Sequence, residues 1–478
     1  MQRRTFLTGT AVGAALAAAP LATLRTAGAA EPTASATVSS LPDLQRAIDG
    51  AAPGDRIVLA DGTYTVPPGD SIDVTGKHGT QDAPITITAA SRGGAVLRGE
   101  RGFVFSGSSN ITVSGFAFRQ STTLEIPANC SRIRLTRNDF RLADIEGLHW
   151  VMVRADDTKI DRNHFHGKTT LGVFLGVEGA GGTAMAQRVH ILRNHFSDHT
   201  FAGANGGEPI RLGVSPRALS GARAVVEYNL FERCDGDPEA ISVKSSDNTV
   251  RYNTIRDSAG GIVLRHGNRT RVESNYLIDG KEGLRLYGND HLIVNNYVAG
   301  LSGRALVIGS GSTRDHHSGE TADERRGNDA CDRAVIVHNT LYGNAETLSG
   351  EDRPYEPQKV VVADNLLVGD SGDLVAMERT TGFTWRSNLL WGAAANGNIP
   401  SGGFTRADPK LRRGPDGVFR LSAGSPAIGR ATLGSPAVTD DIDGDPRGAT
   451  RDIGADEYAT AAPLRRPLTA ADVGPHAP

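Results

Sequence analysis

Short runs of alternating apolar and polar residues recur along the chain, and several can be laid over one another. Ile210-Arg211-Leu212, Ile241-Ser242-Val243-Lys244, Ile262-Val263-Leu264-Arg265 and Leu284-Arg285-Leu286 place apolar residues at alternate positions, with most of the polar and charged ones between or beside them. Alternation of period two is the mark of a strand buried on one face. Ile241 and Ile262, Val243 and Leu264, and Lys244 and Arg265 are each 21 residues apart. A repeat of that length predicts one coil of a parallel β-solenoid per period. Stacked coils lie about 4.8 Å apart, so Lys244 and Arg265 are expected to be neighbours on one outer face.

A second periodic signal runs through the same region. An Asn followed by apolar or aromatic residues recurs at Asn138, Asn163, Asn194, Asn229, Asn253, Asn275, Asn296, Asn339 and Asn365. Asn tolerates left-handed backbone and its amide can bond to the amide above it, so the series predicts a structural turn ladder. Ahead of the repeats, Leu44-Gln45-Arg46-Ala47-Ile48 has helical spacing and precedes Pro53-Gly54-Asp55. A short helix there would cover the open end of a β-stack, which would otherwise invite edge pairing.

The rhythm breaks twice, over residues 198–222 and 309–333. Loops on one side of a solenoid form the walls of its groove; a surface excursion is the alternative for the second, which carries Arg314, His316, His317, Arg325 and Arg326. After about residue 400 Pro and Gly rise and the repeat fades. Asp441-Ile442-Asp443-Gly444-Asp445 resembles the start of an EF-hand loop, but Pro446 stands where Gly is needed, so a turn-rich end cap is expected. The division is a leader over 1–30, a parallel β-helix over 31–400, and final coils with an end cap over 401–478.

Arg3-Arg4-Thr5-Phe6-Leu7, an Ala-rich apolar run and Ala27-Gly28-Ala29 read as a twin-arginine export signal. The apolar run is too short and interrupted to favour a membrane anchor, so a secreted or periplasmic protein is expected, with no membrane association after the signal is removed. Loss of Arg3, Arg4 and Arg25, with no acid, deepens the formal charge from −3 to −6. That balance argues against nucleic-acid binding but permits a polyanion held by a local basic patch. Three distant cysteines, Cys130, Cys234 and Cys331, read as buried thiols.

Chemistry gathers around the four aligned strands. Asp237-Pro238-Glu239 precedes Lys244, and Asn205-Gly206-Gly207-Glu208 lies one longer loop upstream. Hard oxygen donors of this kind suit Ca²⁺. In an unbroken strand Glu239 and Lys244 would face opposite sides, so the chain must turn a corner near Ala240. A surface salt-bridge ladder between these acids and Lys244 and Arg265 is the structural alternative. Arg211 and Arg285 extend the row of cations, which suits a polyanionic chain, with Tyr287, Lys168 and His149 as weaker subsite candidates.

Asn205-Gly206-Gly207-Glu208, Glu239-Ala240-Ile241-Ser242-Val243-Lys244-Ser245 and Leu264-Arg265-His266-Gly267 resemble the signature of polysaccharide lyase family 6, which includes alginate lyases and the dermatan-sulfate-cleaving chondroitinase B. The resemblance covers most of the chain beyond the leader and is specific in these three motifs. It implies an all-β, single-domain right-handed parallel β-helix. It implies Lys244 as general base, Arg265 as the proposed general acid, and Asn205, Asp237, Glu239 and Glu208 as calcium ligands. His266 would assist or orient its neighbour. The first acid of the pair is usually Glu in that family and here is Asp237, whose shorter arm would shift the ion.

In such a reaction the base removes the C5 proton of a uronate and the 4-O-linked sugar leaves. Guanidinium rarely releases its proton, so Arg265 is expected to stabilise the departing oxygen. Alginate is the favoured substrate and dermatan sulfate the alternative. A glycoside hydrolase using Asp237 and Glu239 would leave the lysine column unexplained. A C5-epimerase is chemically closer, and a non-catalytic polysaccharide-binding β-helix is the non-enzyme reading. The assembly is a monomer or a dimer.

Overall fold

In the computed structural model, residues 35–433 and 438–478 are described; the leader expected over 1–30 lies outside them. Each repeat contributes three short strands that pair in parallel with the same strands of the neighbouring repeats. The result is three long sheets, of 14, 10 and 14 strands, in a right-handed β-helix. The aligned strands fall together in the 10-stranded sheet. Ile210 pairs with Ile241, Ile262 and Leu284 in turn, and Leu212 with Val243, Leu264 and Leu286. Both columns are fully buried in the interior.

The interior is layered by coil. Phe118, Phe140, Phe165, Phe196 and Phe231 stack nearly parallel, with ring centroids 4.6 to 5.0 Å apart. That spacing equals the distance between paired strands, so identical side chains can repeat without strain. The Asn ladder stands at a corner. The Asn229 backbone N–H and its amide both donate to Asn253 Oδ1 at 3.0 Å, and Asn253 does the same to Asn275. The left-handed residue, however, is the one before each Asn: Arg137, Arg162, Arg193, Tyr228, Tyr252 and Ser274 all have φ between 51° and 57°. The Asn side chains therefore satisfy the corner's amides, and their predecessors carry the strained backbone.

The helix Leu41–Asp49 closes one end, capped by Ser40 Oγ, which accepts from the Asp43 N–H at 3.2 Å, and it buries Leu44 and Ile48. At the other end the last coil strand is Phe404–Arg406, and an antiparallel hairpin, Leu411–Arg413 with Phe419–Leu421, follows. The chain then runs back along the flank of the coils. The Leu468 N–H donates to Thr254 Oγ1 at 2.8 Å, the Gly474 N–H to Arg193 O at 2.9 Å, and Arg162 Nε to Pro478 O at 2.9 Å. The EF-hand-like acids are held by protein donors: Asp441 accepts from the N–H groups of Asp445 and Glu457, and Asp443 from Tyr276 and Arg420. Cys130, Cys234 and Cys331 are free and buried. No helix among the described residues is long and apolar enough to cross a membrane.

Candidate active site

Two β-bulges shape the site. Strand Glu239–Lys244 pairs with strand Gly261–His266, but Ala240 has no partner between the Glu239–Gly261 and Ile241–Ile262 pairs. This is the corner that the facing of Glu239 and Lys244 required, and it lets one short segment present both. A second bulge lies on the facing strand. Val243 pairs with Leu264 and Lys244 with His266, leaving Arg265 as the extra residue. The expected side-by-side pairing of Lys244 with Arg265 is thereby corrected. A one-residue bulge re-aims the side chain it carries, and Arg265 leaves the ladder to lie over the Tyr287 ring, 5.9 Å from its centroid. Among the described residues, its guanidinium has no hydrogen-bond or ion-pair partner.

Lys244 Nζ donates to Glu208 Oε1 at 3.0 Å. Burial by itself would raise the Glu208 carboxyl, but the charges of Lys244 and Arg211 outweigh it and hold it below its usual range. Its other oxygen, Oε2, is buried without a hydrogen-bond partner. Asp237 accepts from the Glu239 N–H at 3.0 Å and more weakly from the Gly207 N–H at 3.5 Å. Burial, with the negative charges of Glu208 and Glu239, pushes Asp237 up to about 7. Gly207 explains how the two acidic loops come together: a Cβ there would meet Gly236 O at 2.3 Å. Glu239 is bonded by Ser242 and by Arg285 Nη2, the latter at 2.9 Å. Asn205 stands exposed at the rim of its loop.

Asp237, raised by the charges of Glu208 and Glu239, and the orphaned oxygen of Glu208 are hard donors of the kind that suit a divalent cation. Arg285 is the competitor, since it occupies one oxygen of Glu239. Arg285 lies in the same outward column as Arg211, Ser242 and Val263. Arg211 is steadied by His149, whose Nε2 is 3.3 Å from Arg211 Nη2.

Two of the expected substrate contacts are corrected by burial. Lys168 is fully enclosed: Nζ donates to Thr170 Oγ1 at 3.0 Å and to Ile145 O at 3.3 Å, and it sits 5.7 Å from the Trp150 ring centre. Tyr287 is also fully enclosed, and its hydroxyl donates to the Glu351 carboxylate at 2.7 Å. Burial and the Glu351 charge push that phenol up to about 12. Arg265, Arg285 and Arg353 all lie over the Tyr287 ring, so it acts as a support for arginines rather than as a sugar contact. His266 is nearly enclosed as well; burial and the nearby cations Arg265 and Lys244 push it down to about 3, and its Nε2 lies 3.0 Å from Ser215 Oγ.

Glu351, Arg353 and Ser215 escaped sequence reasoning. The insertion at 309–333 had broken the period before Glu351 and Arg353 could be placed in a column. That insertion is packed rather than a loose excursion. His316 is bound to Glu320, which also binds Arg325, and its ring is 6.3 Å from that of His266.

The chondroitinase B family profile matches residues 38–406. Among solved structures, the PL6 family alginate lyase AlyGC superposes with a TM-score of 0.70 at 27% identity, over 82% of this chain and 55% of AlyGC. A mannuronic-acid-specific polysaccharide family 6 lyase from human gut microbiota gives a TM-score of 0.70 at 26% identity, over 78% of this chain and 91% of its own. A PL6 family polysaccharide lyase from Pseudopedobacter saltans shares the fold, with a TM-score of 0.66 at 21% identity over 92% and 99% of the two chains. This chain thus spans little more than half the length of AlyGC. No curated protein matches it.

Proposed function

Because the chain belongs to the chondroitinase B family, polysaccharide lyase family 6, we propose that it cleaves alginate by β-elimination at the site around Lys244. The observation that carries this reading is the Lys244 amine set 3.0 Å from Glu208, with Asp237 in the field of Glu208 and Glu239 and a guanidinium, Arg265, on the neighbouring strand. Lys244, in its amine form, takes the C5 proton of a bound uronate. Arg265, aimed outward by its bulge and free of protein acceptors, stabilises the oxygen of the departing sugar. Arg211 and Arg285 hold uronate carboxylates through charge-assisted hydrogen bonds.

Asn205, Glu208, Asp237 and Glu239 are the residues that would hold Ca²⁺. The chemistry such an ion supplies is neutralisation of the uronate carboxylate, which makes the neighbouring C–H more acidic. Glu208 is both a ligand in this set and the partner of Lys244. Cation binding and the release of Lys244 therefore draw on the same carboxylate. Export by the twin-arginine leader would place the enzyme where polysaccharide is found.

Alginate is preferred because solved relatives above 25% identity include an alginate lyase and a mannuronic-acid-specific lyase. The test offers mannuronate-rich alginate, guluronate-rich alginate and dermatan sulfate in parallel and follows the ultraviolet absorbance of unsaturated uronate. Absorbance rising on alginate supports the proposal. A rise on dermatan sulfate alone replaces the substrate and keeps the chemistry. Binding of a polyuronate without any absorbance change would leave a non-catalytic binding protein.

A further inference from the structure

A second cluster of ligating side chains lies in a different sheet from Lys244. We propose that Asp139, His164 and His166 form a site for a divalent transition-metal ion of the zinc type. Asp139 and His164 are paired residues of adjacent coils, on strands Asp139–Phe140 and His164–Lys168. His166 is two residues along from His164, so it presents to the same face. Each of the three offers one donor atom, and these atoms all lie within 4.8 Å of one another. His166 Nε2 is 3.0 Å from Asp139 Oδ2, and His164 Nδ1 is 3.9 Å from the same oxygen. Donors around a tetrahedral zinc stand roughly 3.3 Å apart, given bonds of about 2.0 to 2.1 Å, so small ring rotations close the set.

The donor chemistry selects the ion. Two imidazoles and one carboxylate suit Zn²⁺ or its neighbours in the first transition row, whereas Ca²⁺ prefers all-oxygen sets. The three side chains are 23% to 26% exposed, so an ion can enter from solvent and leave a position for water. The surroundings are ordered. The His164 ring stacks on His166 at 4.2 Å and on His195 at 4.5 Å, and His195 Nε2 is held by Glu232 at 2.9 Å. Arg119 pairs with Asp139 and is the charge an incoming cation would displace. The ion would tie two coils together beside the next coil, which the C-terminal tail reaches where the Gly474 N–H donates to Arg193 O at 2.9 Å.

The experiment uses untagged full-length protein, stripped with chelator and titrated with Zn²⁺ against a chromophoric chelator in excess Ca²⁺, with Co²⁺ as a spectroscopic substitute. One ion per chain is expected, absent in the His164→Gln/His166→Gln double variant, with Co²⁺ absorption showing nitrogen ligands. Arg119→Gln should bind about tenfold tighter, because it removes a competing positive charge from the Asp139 carboxylate. Equal stoichiometry in wild type and double variant, or no Zn²⁺ bound by wild type, overturns the site. Circular dichroism checks the fold of each variant. If the double variant does not fold, Asp139→Asn answers the same question: an unchanged Co²⁺ spectrum and affinity refute the site.

Discussion

Lys244 donates to Glu208 Oε1 at 3.0 Å, and both side chains are largely withdrawn from water, at 12% and 1% exposure. Removing one charge of such a buried pair strands the other, at a cost of roughly 3 kcal/mol. Glu208 also belongs to the proposed calcium set. Glu208→Gln should therefore raise the Ca²⁺ concentration giving half-maximal lyase activity by about tenfold or more, read by calcium titration of the chelated enzyme. The chelated wild type should be inactive until Ca²⁺ is restored. An unchanged midpoint would remove Glu208 from the set, and full activity after thorough chelation would remove the cation.

Arg265 occupies a bulge and lies over the Tyr287 ring, with no hydrogen-bond or ion-pair partner among the described residues. A residue with no protein acceptor contributes little to stability, but its loss removes charge stabilisation where the departing oxygen develops. Arg265→Ala should lower kcat by about 10²- to 10³-fold and leave the melting temperature unchanged. If activity and melting temperature fall together, Arg265 holds the fold instead.

Much of this could be read in the sequence, for physical reasons that also mark the boundary. The apolar columns Ile241–Ile262 and Val243–Leu264 were legible because inward positions must repeat to fill the interior. The corner at Ala240 was legible because Glu239 and Lys244 could not otherwise share a face. The bulge at Arg265 was not, since one unpaired residue leaves the spacing of 21 intact while shifting the partner of Lys244 to His266. Burial of Lys168 and Tyr287 was equally hidden. Both are amphipathic side chains at outward-looking positions, and only the neighbouring loops, with Thr170 and Glu351, enclose them. The Asn ladder was found, but the strain falls on the preceding residue, a backbone property that composition does not reveal.

His291 offers a pH signature independent of catalysis. Its Nε2–H donates to Tyr287 O at 2.9 Å, and Nδ1 accepts from the Thr270 N–H at 3.1 Å, so the buried ring is neutral. Burial, partly opposed by the Tyr287 carbonyl, pushes it down to about 4. Its unfolded value is about 6.5, so between the two the unfolded chain binds the extra proton. The contribution is complete above about 6.5 and is lost as pH falls through 4, on the order of 3 kcal/mol. Melting temperature measured from pH 7 to pH 4 should fall less steeply in His291→Gln than in wild type. Parallel curves would assign the acid sensitivity to other groups.

The central claim is that Lys244 removes the C5 proton. Its most direct test is the initial rate of unsaturated-uronate absorbance on alginate, for wild type and Lys244→Ala, with alginate binding measured on both. A rate lowered by about 10³-fold or more, with binding retained, is the predicted result. A variant that still eliminates at a rate near that of wild type would contradict the account and move the base elsewhere.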